Sequence, residues 1–431
     1  MNVLAIDVGT SSVKAAVVAV ESAQPVGPIC RAGYTLDHPQ PDAAVLCPDR
    51  LWQAAGQAAR QASAGLEVAG VGLSCLAPAW LLLDRHDQPL TPIVTHLDRR
   101  ARPLAKRLWN DSGPEFLRIA GNKPLPGGLS GIACAWILQQ QPQLRQQTRR
   151  LLHLNGWLGL RLSGEAAFDP GNASFTGLFE TLGRQTWSER LCQLLDLDVG
   201  WLGPVLPGDS TLGPLRPEAA EHLGLPSGIP VKLGLPDTSS AMLAAGMRPG
   251  ELLHVVGTTQ VLAAFAPDPA PAENRLTRLF GVGDAFIHVT HNPVGGVALD
   301  WLYHLCFRDQ SPEEYYGKTL PGVLERATPV LLDPPFLGGD RLELDPSSAA
   351  LRFLSLSTDR LDVAAAILQA MQRHHEQARQ ALGLGPHFDR VYLTGGGAEI
   401  VEQIIPEYRQ RKPVRLREGS LCGVARLFGR C

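Results

Sequence analysis

Asp7, Thr10, Ser11, Ser12 and Lys14 crowd into one short stretch, IDVGTSSVK, between two apolar runs. A Gly-Thr-Ser-Ser turn offers backbone N–H groups and hydroxyls toward one point, a concavity suited to phosphate oxygens. Lys14 adds a cationic donor, and Asp7 could hold a hydrated Mg²⁺ that bridges the phosphates. The competing reading is a tight hairpin with a solvated aspartate.

A second turn of the same kind follows near residue 251, in ELLHVVGTTQVLAAF. Overlaid without gaps, Val8-Gly9-Thr10-Ser11 falls on Val256-Gly257-Thr258-Thr259, and Ala15-Ala16 on Ala263-Ala264. In that overlay Val255 is the counterpart of Asp7 and Leu262 that of Lys14, so one hairpin carries charge and the other does not. A second hairpin able to clamp the same phosphate chain favours phosphate binding over a plain turn. The stretch GLPDTSSAMLAAGM places Asp237 ahead of a short helix of small residues, as an N-cap or as a general base facing a cleft. VYLTGGGAEI reads as a buried strand running into three glycines and a helix, suiting either close approach of a nucleotide or a turn that needs φ > 0.

Other polar groups carry weaker signals. Asp98-Arg99-Arg100 and Asp169-Pro170-Gly171-Asn172 read as surface turns or as groups reaching a sugar's hydroxyls. His374-His375-Glu376 reads as a solvated or capping cluster on a helix, and His288 and His291 lack a carboxylate at zinc spacing. Neither GxGxxG nor GxxxxGK[ST] occurs.

These groups need a scaffold. Apolar runs at 3–6 and 14–20 read as paired strands, 50–64 as a helix, and 68–74 and 80–83 as buried strands. Helical patterns follow at 115–120, 132–140 and 157–162. Strands alternating with helices predict an α/β protein. The repeated hairpin predicts a duplicated two-domain architecture divided near residue 245, with units 1–245 and 246–431. The 431 residues suffice for two cores, and 45% apolar with 19% charged residues is a globular composition. A net charge of −3 without a basic tract argues against nucleic acid and anionic membranes as partners. Eight scattered cysteines read as reduced thiols in a cytoplasmic protein. Asp7 breaks the first apolar run, so the start does not read as a signal peptide, and no run of about 18 apolar residues occurs.

Taken together, these motifs resemble the FGGY family of carbohydrate kinases, and within it the xylulokinases. IDVGTSSVK is similar to the family's first phosphate motif, HVVGTTQVL to its second, GLPDTSSAMLAAG to its catalytic-aspartate segment and VYLTGGGA to its adenosine motif. DPGNASFTGLF and GGVALDWL also follow the family pattern. The resemblance implies a two-domain actin/hexokinase-like (ribonuclease H-like) fold with ATP and Mg²⁺ in the cleft and a sugar between the domains. It assigns Asp7 to the magnesium, and Thr10, Ser11, Lys14, Gly257 and Thr258 to the phosphates. Gly296, Gly396 and Gly397 go to the nucleotide, Asp98, Arg100 and Asn172 to the sugar, and Asp237 becomes the base.

The chain also departs from the pattern. Ala77-Pro78 stands where xylulokinases carry Met-His, and His96-Leu97-Asp98-Arg99-Arg100 where they carry Trp-Asn-Asp-Gly-Arg. Glu399-Ile400 follow the glycines, and the chain stops soon after CGVARLF, short of the family's C-terminal extension. The expected activity is transfer of the γ-phosphate of ATP to a terminal hydroxyl of a small ketose or polyol. D-xylulose leads, D-ribulose and other ketoses follow, and glycerol is disfavoured because Leu76-Ala77 replace the Arg-Glu pair of glycerol kinases. A catalytically retired nucleotide-binding regulator and an ATPase of the same fold that moves partners are the alternatives, and a homodimer is left open.

Overall fold

The computed structural model describes residues 1–257, 260–292, 295–333, 344–345, 349–385 and 388–429. Strand β1 (Asn2–Val8) turns back as β2 (Ser12–Ala19), with Asp7 opposite Lys14 across the antiparallel pair. Alternation divides their side chains between two faces. Leu4, Ile6, Val8, Val13, Ala15 and Val17 face the main core, against helix α1 (Pro48–Ser63). Val3, Ala5, Ala16 and Val18 form a smaller cluster on the other side. By parity Asp7 and Lys14 belong to this second face.

β3 (Val71–Cys75) runs parallel beside β1, and the two-residue strand β4 (Leu235–Pro236) runs parallel beside β3. Asp7 and Leu235 both pair with Ser74, from opposite sides. The short helix α2 (Pro170–Ser174) is capped by Asp169, whose carboxylate accepts from the Gly171 and Asn172 amides. Helix α3 (Asp237–Ala245) starts where β4 ends. Asp7 and Asp237 thus stand at the same end of one sheet, on either side of β3.

The second sheet repeats the plan. β5 (Leu252–Val256) is antiparallel to β6 (Gln260–Phe265) and parallel to β9 (Val391–Thr394). β7 (Leu276–Leu279) and β8 (Phe286–Asn292) extend it beyond β6, and β10 (Val414–Arg415) lies outside β9. In each sheet the amide beyond the third strand donates to the last carbonyl of the first. Leu76 N–H reaches Val8 O at 2.8 Å and Gly397 N–H reaches Val256 O at 3.1 Å.

The hairpins differ in length. Val8 pairs with Val13, five positions on, but Val256 with Gln260, four positions on. Val255 pairs with Val261, which makes Val261, not Leu262, the counterpart of Lys14. An overlay of letters has no means of seeing a one-residue difference in a turn.

Helices α4 (Gly296–Cys306), α5 (Arg360–Ala381), α6 (Ala398–Ile404) and α7 (Pro406–Gln410) belong to the second half. Helix α8 (Gly419–Arg426) does not. Its Leu421, Val424 and Ala425 pack on Val3, Ala5, Ala16 and Val18, so the chain crosses back to the first sheet. Its bed is made of small residues. A Cβ on Gly72 of β3 would lie 2.6 Å from the Val424 side chain. Among the described residues no helix is long and apolar enough to cross a membrane.

Candidate active site

Two cavities meet at Gly257. The inner one, about 310 Å³, lies between the sheets and is lined by Thr10, Ser11, Asp237 and Thr238 on one side and Val255, Gly257 and His291 on the other. The outer one, about 890 Å³, is lined by Gly257, Gly296, Tyr316, Gly396, Gly397 and Ile400. Gly296 N–H donates to Gly257 O at 3.2 Å, tying the start of α4 to the shared glycine.

Asp7 is 8% exposed and is not among the residues that line the inner cavity. Ser74 Oγ donates to its Oδ1 at 2.8 Å and Ser420 Oγ to its Oδ2 at 2.7 Å. Burial pushes its carboxyl up to about 6; the Asp237 carboxylate adds to the rise, while the two serines and Lys14 oppose it. A cation would relieve the crowding of these two carboxylates. Among the described residues no group of three or more His, Cys, Asp or Glu forms a metal cage. One or two carboxylates completed by water and phosphate oxygens form a donor set that suits Mg²⁺.

Asp237 is the first residue of α3, with Pro236 in the N-cap position instead. Its Oδ1 accepts from the Thr238 amide at 2.6 Å and from Thr238 Oγ1 at 3.1 Å. Proline at the end of β4, paired with Cys75, fixes the turn that points this carboxylate into the cleft. Asp7 and Asp237, with Asp169, add to the burial that holds the Cys75 thiol far above its ordinary value.

The three glycines divide their roles. Gly395 has φ +99°, and a Cβ there would lie 2.1 Å from Val256 O, so it serves strand-to-strand approach. Gly396 and Gly397 line the outer cavity, and nothing lies within 4 Å of a Cβ on Gly396.

Several sequence candidates sit elsewhere. Lys14 Nζ is held by Glu418 at 2.6 Å and does not line the inner cavity. Asp98 is buried and accepts from Ala44 N–H and from the Arg100 guanidinium, which lies 5.4 Å from the centre of the Trp136 ring. Arg100 lines a separate cavity with Trp136, and the residue of that loop that lines the cleft is His96. The Asn172 amide is consumed by a buried network: it donates to Asp169 and Asn155 and accepts from His153 Nδ1. His375 is not solvated; it is 4% exposed and stacks on His254 at 5.2 Å, correcting the surface reading. His288 donates to the Leu382 carbonyl at 3.0 Å. Thr258 lies outside the described residues.

Sequence reasoning missed Ser74, Glu418, Ser420, Phe175 and Arg278. Arg278 is buried in the cleft wall, its guanidinium 4.9 Å from the Phe175 ring centre and donating to Ser239 Oγ at 2.7 Å. No local pattern marks Ser420, which meets Asp7 across 413 positions of sequence.

Residues 2–244 match the profile of the FGGY family of carbohydrate kinases, N-terminal domain. The chain is 24% identical over 419 residues to the xylulose kinase of Bacillus subtilis, covering 92% of this chain and 81% of the relative. It is 28% identical over 290 residues to the autoinducer-2 kinase of Yersinia enterocolitica, covering 64% of this chain and 53% of that one. The aligned stretches cover 55% and 66% of two further curated relatives. The crystal structure of xylulose kinase from Rhodospirillum rubrum superimposes with a TM-score of 0.86 at 24% identity, covering 100% of this chain and 89% of that one. The fold is therefore the two-domain actin/hexokinase-like α/β fold.

Proposed function

Because the chain belongs to the FGGY family of carbohydrate kinases, we propose that it transfers the γ-phosphate of ATP to a terminal hydroxyl of a small ketose or polyol. The observation that carries this reading is the junction at Gly257. An outer cavity floored by glycines opens there onto an inner one that holds Asp237. A nucleotide along Gly296, Gly396 and Gly397 would present its phosphates to Thr10, Ser11 and Gly257, next to the carboxylate.

In this reading Asp237 takes the proton of the substrate hydroxyl as its oxygen attacks the γ-phosphorus and the bond to the ADP oxygen breaks. The Thr238 amide and hydroxyl hold one carboxylate oxygen in place while this happens. Thr10, Ser11 and Gly257 keep the phosphoryl group in line, and such positioning supplies most of the acceleration. Asp7 would hold Mg²⁺, which supplies neutralisation of charge on the phosphates. The retired-regulator alternative draws no support, since the carboxylate proposed as the base lines the cleft.

D-xylulose leads as acceptor and D-ribulose follows. Leu76 and Ala77 line the cleft beside Asp237, where Pro78 offers no N–H. The test is ADP release with a panel of ketoses and polyols, followed by identification of the phosphorylated carbon. Release with D-xylulose or another ketose and phosphate on a terminal carbon is expected. Release with glycerol alone, or with no member of the panel, overturns the reading.

A further inference from the structure

The face of β1 and β2 that carries Asp7 and Lys14 is covered by α8, which arrives from the far end of the sequence. The match is residue by residue. Asp7 and Lys14 are cross-strand partners, and Ser420 and Glu418 meet them in the same order, at 2.7 Å and 2.6 Å. Glu418 adopts the left-handed conformation, φ 50°, where the chain leaves the second sheet. Two residues earlier, Leu416 N–H is still bonded to Leu393 O of β9. The same helix lies against α3, whose first residue is Asp237: Gly419 meets Ala241 and Gly423 meets Ser240.

We infer that α8 is a working part of the phosphate and metal site, with Ser420 and Glu418 as positioning residues. Ser420 fixes the rotation of the Asp7 carboxylate. Each Asp7 oxygen receives one hydroxyl, from Ser74 or Ser420, which leaves the remaining lone pairs directed away from the serines. Glu418 holds Lys14 in an ion pair, and so keeps the ammonium from closing on Asp7, directly across the strand pair. Without Glu418 the lysine would settle on that carboxylate and compete with any cation there. The inference rests on the proposed role of Asp7 and specifies how that role is maintained.

The experiment is titration of the full-length chain with Mn²⁺ in the presence of ADP, followed by electron paramagnetic resonance. Melting temperatures are measured alongside. Partners behind a metal ligand commonly carry 10- to 100-fold in affinity, so Ser420→Ala is expected to weaken Mn²⁺ binding by about 10-fold. Ser420→Thr, which keeps the hydroxyl, is expected to bind like the parent. Glu418→Gln is also expected to weaken binding, with the Michaelis constant for sugar unchanged. Parent-like Mn²⁺ binding by both Ser420→Ala and Glu418→Gln, with binding lost in Asp7→Asn, overturns the inference and leaves the Asp7 assignment standing. Parent-like binding in Asp7→Asn overturns that assignment instead. An equal loss in Ser420→Thr and Ser420→Ala assigns the effect to packing and overturns the positioning role.

Discussion

Gly423 of α8 lies so close to Ser240 of α3 that a β-carbon on it would stand 1.9 Å from the Ser240 carbonyl oxygen. No side-chain rotation relieves a clash with a carbonyl; one helix must move. Alanine in a helix interior ordinarily stabilises by up to about 1 kcal/mol over glycine. Here overpacking reverses the sign, and Gly423→Ala should cost about 1–3 kcal/mol. Turnover should fall too, because Asp237 opens the displaced helix. A Gly423→Ala chain with unchanged melting temperature and kinetics would contradict the contact.

Asp237→Asn preserves size and keeps an oxygen for the Thr238 amide, but it removes the proton acceptor. The expected result is a fall in turnover of roughly 10²–10⁴-fold with little change in melting temperature. Activity within a few-fold of the parent would return Asp237 to a purely structural role at the helix start.

His96 and Arg100 belong to one loop but address different cavities. His96→Ala should raise the Michaelis constant for the sugar and leave that for ATP unchanged. Arg100→Ala should affect neither constant, though it removes the partner of buried Asp98 and should lower stability. Steady-state kinetics with each substrate varied in turn separates the two. A sugar effect at Arg100 with none at His96 would reverse the assignment.

Burial holds His153 and His254 at about 4, whereas histidine in an unfolded chain titrates near 6.5. Between those limits the unfolded chain binds more protons, so the stability from each is complete above about 6.5 and is lost as the pH falls toward 4. The loss at the acid end is roughly 3 kcal/mol for each histidine. Asp7 and Asp169, raised to about 6 chiefly by burial, slope the opposite way between about 4 and 6. Variant and parent are therefore compared directly by denaturant unfolding from pH 7 to 4. His254→Gln should unfold with a shallower acid loss than the parent, and identical slopes would rule out a buried neutral imidazole at 254.

What the sequence revealed follows the range of the forces involved. Alternation in LAIDV and VKAAVV, and the glycines and hydroxyls between them, is local, so the first hairpin, Thr10 and Ser11 were legible. Asp237 was legible as a carboxylate at a helix start, but its shift from N-cap to first helical residue depends on the pairing of Pro236 with Cys75. For Asp98, Arg100 and Asn172, letters alone do not show that these polar side chains spend hydrogen bonds on neighbours. Ser420 and Glu418 were beyond reach: their partners lie some four hundred residues away, and nothing local distinguishes them from surface residues.

The return of α8 to the first sheet also sets an order of events during synthesis. β1 leaves the ribosome among the first elements, yet the helix that covers one of its faces comes after the whole second sheet. Until then Val3, Ala5, Ala16 and Val18 lack their cover, and Asp7 has one serine hydroxyl instead of two. A nascent chain holding all of residues 1–245 therefore carries an unfinished face. Released chains ending before residue 419 and after residue 426 would differ in protease resistance at β1, although every residue of β1 was made long before.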